Sequence, residues 1–543
     1  MTTIVLCTVG CAPRWKQTPH DRVFQKVRET PIAVPFERDE NSDWWEAGVK
    51  GGVRPLGQAL SPSTYVEAVL GSDPALDVNA FQEVPESSWF VPRIGRDRLT
   101  PGDVFRGQVD NPPPVGERFV VVSGKRSGTT PGFVVLDEAG VYWFVKFDPA
   151  SFPGLSTAAE MVANRAIGAA GYRVPETHLI EMDLAKLELD PGATTRDKYN
   201  RTVPLDEKAL SEFFILLNPD NAGRTRAIFS RRIEGEHLGG FRWRGLDSAD
   251  PNDRIPHQRR RSLRALRVLF AWLNNTDTKS SNTLDSFVRT DGERGVVLHY
   301  LQDLGDSLGA AGHRAKYRHE GYEPWFSWRE SAIRLLALGF RYPYWSGLRP
   351  IQNRTLGAFE ATVFDPSRWS PAIPNPAFDE ATAEDLFWGG QLLARFTPEM
   401  VGVLVDAADY EDPKIRDVVI ERLLVRRRLT LEWAFDGFTA LDRPRIESGA
   451  LVLTDLHRLS GFADETLRYR MLVDSEELAT GTLDSARVPL ADVLDPLRTR
   501  PDFFDDPFVE VELRYGERGV TRVHLRVTED GVFPVALERE CDR

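Results

Sequence analysis

The run Asp277-Thr278-Lys279-Ser280-Ser281-Asn282 sets a carboxylate, a lysine two residues on and an asparagine five residues on in one polar stretch. Those types at those spacings suit a phosphoryl-transfer loop, in which the carboxylate orients or accepts the attacking proton. The lysine then steadies charge on the transferred group, and the asparagine oxygen takes a metal ion. The same residues also suit a solvated turn with Asp and Asn as caps. Asp303-Leu304-Gly305 closes a later apolar run, and an Asp freed by the next Gly can reach the metal that Asn282 would hold. Taken alone, it is equally a strand ending in a polar turn.

Lys146 lies in the apolar run 141–147, where alternation puts Tyr142, Phe144 and Lys146 on one face and Trp143, Val145 and Phe147 on the other. An ammonium among aromatic neighbours is expected to be partly buried and to need an anion. Glu160, on an Ala-rich stretch, is the candidate, and the pair would hold Lys146 toward nucleotide phosphates. The alternative is a lysine whose stem packs at a strand end beside a solvated Glu160. Lysine is scarce here, 11 against 57 arginines, so a lysine at such a position is informative. Within 100–309 the lysines are Lys125, Lys146, Lys186, Lys198, Lys208 and Lys279. The loop 124–132 carries Gly124, Ser127, Gly128 and Gly132. Its backbone N–H groups can approach phosphate oxygens, while Lys125 and Arg126 add positive charge. It fits neither G-x-x-x-x-G-K-[ST] nor G-x-G-x-x-G, which argues against a P-loop NTPase. By itself it is an ordinary hairpin loop.

The elements that must position these residues are legible. The runs 118–123, 133–136 and 141–147 are β-branched and aromatic, and predict three strands around the Gly loop and the turn 137–140. Residues 156–170 predict a helix with Ser156 as N-cap, stopped by Gly171-Tyr172, and 177–182 a returning strand. A polar insertion is expected over 183–210. Leu263, Leu266, Leu269, Phe270 and Leu273 recur at helical spacing over 258–273. Arg259, Arg260, Arg264 and Arg267 would form the opposite face, and Arg259-Arg260-Arg261 reads as solvated. Strand-like runs 283–288 and 295–301 flank the turn Asp291-Gly292, and helices are expected over 382–396, 398–408 and 413–435. Beyond 445, alternation at 450–454, 467–473, 508–513 and 520–527 predicts a small β-rich appendage.

With 543 residues, 41% hydrophobic and 27% charged, the chain can bury a large core without staples. The charge of 68 − 81 = −13 disfavours nucleic-acid phosphates as the main partner. No apolar run is long enough to span a bilayer. Three cysteines, Cys7, Cys11 and Cys541, exclude a disulfide framework and a Cys-based zinc site. Thr8-Val9-Gly10-Cys11 has the form of the end of a bacterial lipoprotein leader, and equally of a short buried strand. The expected compartment is therefore cytoplasmic if Met1 is the true start, or a lipid-anchored envelope location through Cys11. His299, His313 and His319 match no metal-ligand spacing, and no G-x-S-x-G elbow occurs. Trp325, Trp328 and Trp345 read as packing residues.

Gly loop, strand lysine, helix glutamate, D-x-K-x-x-N and D-L-G occur in the order of the protein-kinase fold. The chain thereby resembles the protein-kinase-like superfamily, and more nearly its atypical HipA-like branch. It is also similar, over roughly 75–435, to a broad group of uncharacterised bacterial proteins. The shared stretches are Ser87-Ser88-Trp89-Phe90, Thr130-Pro131-Gly132-Phe133, Lys146-Phe147-Asp148-Pro149, Asp250-Pro251-Asn252-Asp253, 299–309 and Pro374-Asn375-Pro376-Ala377-Phe378.

The kinase resemblance implies an α+β, bilobal kinase-like fold. Residues 118–210 would form the small lobe and 211–440 the helical large lobe, with an extended wrap over 1–117 and a β-rich appendage over 441–543. It implies an ATP- and Mg²⁺-dependent phosphotransferase acting on a protein or small-molecule acceptor. Lys146 and Glu160 would align the phosphates, and Gly124, Ser127 and Gly128 would cover them. Asp277 would be the acid/base residue and Lys279 a phosphoryl contact, with Asn282 and Asp303 as magnesium ligands. Asn275-Thr276 stand where ordinary protein kinases have H-R, Leu304 replaces the Phe of D-F-G, and A-P-E is missing. Those departures put peptide recognition in question and keep two alternatives open: a catalytically silent scaffold, and a transferase of AMP rather than phosphate.

Overall fold

Strand formers separated by turns assemble into one large sheet. The computed structural model describes residues 26–34, 73–96, 99–114, 116–124, 132–196, 201–217, 219–220, 222–324, 335–337, 340, 343–347, 353–462, 465–490, 508–528 and 531–542. The lipoprotein-like Cys11, the loop residues Lys125, Arg126, Ser127 and Gly128, and Trp325 and Trp328 lie outside the described residues.

The strands are β1 (Phe119–Gly124), β2 (Gly132–Leu136), β3 (Tyr142–Phe147), β4 (Thr177–Asp183), β5 (Leu187–Arg196), β6 (Thr202–Pro204) and β7 (Arg224–Arg231). They form a seven-stranded sheet in the order β4-β7-β3-β2-β1-β5-β6. The pairs β1–β2, β2–β3, β3–β7 and β4–β7 are antiparallel, while β5 runs parallel to β1. Residues 183–210 are therefore no loose insertion, because β5 and β6 extend the sheet beyond β1. On β3 the alternation holds: Trp143, Val145 and Phe147 are buried, Tyr142 and Phe144 exposed.

Among the described residues the α-helices of six or more residues include α1 (Pro101–Arg106), α2 (Leu155–Ala170), α3 (Glu207–Ile215), α4 (Leu266–Leu273), α5 (Ala383–Ala394), α6 (Pro398–Asp406) and α7 (Pro413–Ala434). All 16 residues of α2 are buried. Its alanines and Gly168 let neighbours approach from every side, as expected of a helix without a wet face. Ser156 is not its N-cap. Gly154 occupies that position, and the carboxylate of Asp148 accepts the N–H groups of Ser156 (2.7 Å) and Thr157 (3.0 Å). Glycine is required at Gly171, where φ is +129° and a Cβ would meet the Phe90 ring. The N-terminal segment clasps this end: Val91 N–H donates to Gly171 O and Ile94 N–H to Ala169 O.

The expected helix over 258–273 is broken into a turn of 3₁₀ helix (His257–Arg259), a short helix (Arg261–Arg264) and α4. Its arginines are not a solvated face. Arg260, Arg261 and Arg264 are buried, because partners distant in sequence meet them. Arg261 Nε and Arg264 Nη1 bond the two oxygens of Asp385 on α5 at 2.9 and 3.0 Å, and Arg260 Nη2 bonds Asp253 Oδ1 at 2.8 Å. Asp253 Oδ2 also lies 2.8 Å from His257 Nε2. Burial raises the Asp253 pKa, but the bonds and charges of His257 and Arg260 prevail and bring it to about 2. A carboxyl whose folded pKa lies below its unfolded value stabilises above the unfolded pKa, and that contribution is lost as pH falls through the folded one. The stability gap between wild type and Asp253→Asn is thus expected to narrow by about 2 kcal/mol between pH 5 and pH 2. Urea denaturation at stepped pH checks this; a gap independent of pH would refute it.

Residues 236–239 and the run after α4 form a second, three-stranded sheet: β8 (Glu236–Gly239), β9 (Thr283–Asp291) and β10 (Arg294–Leu301), with β9 central. The tail alternation becomes a sheet of three strands (Leu441–Glu447, Ala450–Asp455, Arg487–Pro489) and one of five. The five are Leu467–Val473, Glu476–Leu483, Phe508–Tyr515, Thr521–Thr528 and Gly531–Arg539. The inward residues of both, with Phe81 of the N-terminal segment, make their own apolar cluster. The main apolar cluster joins α2, α4 and the α5–α7 helices. Among the described residues no helix is long and apolar enough to cross a membrane.

Candidate active site

β3, α2 and the end of β10 bring three of the sequence-selected residues into direct contact. Lys146 Nζ lies 2.8 Å from both Glu160 oxygens and 2.8 Å from Asp303 Oδ1. The lysine side chain is 12% exposed and Glu160 5%, whereas Asp303 is 39% exposed. Burial disfavours the ammonium, yet Asp303 and Glu160 outweigh it and hold the Lys146 pKa above its ordinary value. Gly305 packs closely on this pair, since a Cβ there would stand 3.1 Å from Ser156 Oγ and 3.2 Å from Glu160 Oε2. Asp303 has φ +54°, a left-handed conformation that non-glycine residues seldom adopt and that often marks functional positions.

The loop after α4 supplies the rest. Asn274 ends that helix in the left-handed region (φ +54°), where Asn is tolerated. Three residues on, Asp277 Oδ2 receives Lys279 Nζ at 2.9 Å, and Asn282 Nδ2 donates to Asp277 O at 3.1 Å. Asn282 O in turn accepts Gln302 N–H at 2.9 Å, which ties the loop to the chain entering Asp303. Burial raises the Asp277 pKa; Lys279 opposes it, while the charges of Asp306 and Asp303 add to it. Lys279 is raised too: burial works against its charge, but Asp277, Asp306 and Asp303 prevail. Asp277, Lys279, Asn282 and Asp303 therefore belong to one electrostatic cluster with Lys146 and Glu160.

A cleft of 380 Å³ opens beside this cluster. Lys146, Glu160 and Asp303 line it, as do Phe144 on β3, Ser281 in the loop, and Ile233 and His237 around the β7–β8 connection. Of the proposed phosphate loop, Gly124 is buried against the Thr195 side chain and does not line the cleft; the strand residue before it, Ser123 on β1, does. His299 is buried with Nδ1 2.6 Å from Asp285 Oδ1, its ring stacked on Trp89 at 3.6 Å.

Three contributors escaped the sequence reading. Asp306 accepts Thr276 Oγ1 (3.0 Å) and pairs with Lys316 Nζ (3.0 Å). Lys316, wholly buried, also donates to Asn274 O (2.5 Å) and Asp306 O (3.1 Å), so it staples the 274–277 turn to the chain after Asp303. Scarcity of lysine could have flagged it, but it lies beyond the 100–309 window. The third is Gly240, whose α-carbon is packed so tightly on the Ser280 carbonyl that a Cβ would collide with it. Gly240→Ala is expected to push the 280–282 turn away and to destabilise the chain by about 1–3 kcal/mol. Urea melts check it, and an unchanged midpoint would show that the turn yields freely.

No family model matches the chain, and no curated protein matches it. Among solved structures, the crystal structure of the Golgi casein kinase aligns with 77% of this chain and 95% of its own at 10% identity, with a TM-score of 0.30.

Proposed function

We propose that this protein is an ATP- and Mg²⁺-dependent phosphotransferase of the atypical, HipA-like kinase type. In this reading its fold is bilobal: 118–210 form a β-rich small lobe and 211–440 a helical large lobe, extended by the 1–117 wrap and the 441–543 appendage. The observation that carries the reading is the bridge of Lys146 to both Glu160 and Asp303 at 2.8 Å. A lysine on the third strand, paired with a glutamate on the next helix, is the arrangement by which kinases align nucleotide phosphates.

Oxygen donors suit magnesium, and two are at hand. Asn282 uses its Nδ2 on the Asp277 carbonyl, which leaves Oδ1 as an acceptor for a cation, and Asp303 is the most exposed member of the bridge. Bound Mg²⁺ would neutralise phosphate charge. The chain's own groups do the remainder. Lys146, fixed by Glu160, faces the nucleotide phosphates across the cleft; Lys279 meets the transferred phosphoryl; Asp277 orients the acceptor hydroxyl and takes its proton. Phe144 and Ile233 give the cleft apolar walls for a base, and Gly124, Ser127 and Gly128 belong to the loop that would cover the phosphates.

The test uses full-length protein with Mg²⁺ and γ-labelled ATP. Self-labelling or ATP hydrolysis, together with a rise in melting temperature on adding ATP and Mg²⁺, is expected. Neither labelling nor hydrolysis, with no thermal shift, would refute the proposal and favour a silent scaffold. A mass increase of AMP rather than phosphate on the product would redirect it to nucleotidyl transfer.

A further inference from the structure

Behind the β7–β8 connection lies a second cavity, of 670 Å³, which the nucleotide cleft does not use. Pro175, Arg231 and Ile233 line both, so a single layer of chain separates them. Two lining residues stand out by their chemistry. Arg173 is held with Nη1 on Ser88 O (2.5 Å) and Nη2 on Ser87 O (2.9 Å), and among the described residues no carboxylate hydrogen-bonds its guanidinium. Burial lowers its pKa, with Tyr300, Glu29 and Glu86 opposing. A half-buried cation whose hydrogen bonds all go to carbonyls still gains from an anion placed directly against it. Tyr300 adjoins it through a parallel β-bridge. Burial raises the phenol pKa, so the hydroxyl stays protonated and able to donate.

The cavity's acids do not fill that role. Glu176 is already occupied by the Asn111 N–H (2.6 Å), Asn111 Nδ2 (2.9 Å) and Arg231 (3.4 Å). Asp110 and Glu234 are exposed, and neither hydrogen-bonds Arg173. We propose that this cavity binds a small organic anion, whose carboxylate or phosphate group is held by Arg173 and Tyr300. The proposal is independent of phosphotransfer and stands or falls apart from it.

Calorimetric titration of the full chain at constant ionic strength, with inorganic phosphate and with succinate as probes, tests it. At least one probe is expected to bind, about tenfold more weakly to Arg173→Gln and about threefold more weakly to Tyr300→Phe. Lys146→Met, altered in the cleft, should bind as wild type. Phosphate alone binding assigns a phosphate ligand, succinate alone a carboxylate one, and both a general anion site. Tyr300→Phe removes one hydroxyl and decides the matter should Arg173→Gln fail to fold. The proposal is overturned if neither probe binds, if binding survives in Tyr300→Phe at wild-type strength, or if Lys146→Met abolishes it.

Discussion

Asp277→Asn is expected to lower phosphotransfer by about a thousandfold while leaving nucleotide binding within about twofold of wild type. The asymmetry follows from the geometry. Asp277 contacts Lys279 and, through its carbonyl, Asn282, whereas in the proposed reading the nucleotide would be aligned by Lys146, which bonds Glu160 and makes no contact with Asp277. The amide keeps the shape and removes the base. A pH profile adds a second readout, because burial and the neighbouring Asp306 and Asp303 raise the Asp277 pKa against the pull of Lys279. In the proposed reading the acceptor's proton would be taken only by the carboxylate, so turnover should fall as pH falls. The midpoint of that acid limb should lie above the ordinary aspartate value. Rapid-quench measurement of labelled ATP consumption, with thermal shift for nucleotide affinity, checks both. Full turnover in Asp277→Asn would remove this residue from the chemistry, and an equal loss of binding and turnover would make it a structural residue.

The largest stability effect is expected at Asp385→Asn, about 3–5 kcal/mol. Asp385 is wholly buried on α5 and bonds Arg261 Nε at 2.9 Å and Arg264 Nη1 at 3.0 Å, guanidiniums that are themselves 5% and 0% exposed. Both would lose their closest carboxylate, Arg264 keeping only Glu380 at 3.6 Å, and breaking a buried pair costs far more than the ion pair was worth. The carboxylate also closes the capping box of α5, accepting Thr382 N–H at 3.0 Å, so the helix start weakens as well. Since Arg261 and Arg264 flank the entry to α4 and its loop, loss of the pair should loosen the loop that holds Asp277. Urea denaturation monitored by tryptophan fluorescence gives the number. A loss below about 1 kcal/mol would mean that water reaches the site.

How much was legible in the sequence follows the range of the interactions. Strands over 141–147 and 177–182 and the helices over 398–408 and 413–435 were readable because alternation and helical periodicity are local patterns. Lys146 and Glu160 were readable as a pair because an ammonium on an aromatic face requires an anion nearby, and they meet at 2.8 Å. Ser156 was misjudged as a cap because Asp148, eight residues earlier, reaches the same N–H groups. The arginines at 259–264 were misjudged for a stronger reason. Helical periodicity puts them opposite the leucines, but it cannot reveal that Asp385, more than a hundred residues on, is folded against that side.

Local pattern carried the inventory: most of the runs that become strands and helices, and which scarce lysines, carboxylates and asparagine are available for chemistry in which order. Tertiary structure alone decided that Asp303 completes the Lys146 bridge, that Asp306 and Lys316 brace the 274–277 turn, and that Arg173 and Tyr300 share a cavity behind the cleft. The physical reason is the reach of the forces. Backbone preference and side-chain periodicity act over a few residues and are written in them, whereas electrostatic partnership depends on distances set only when remote segments pack.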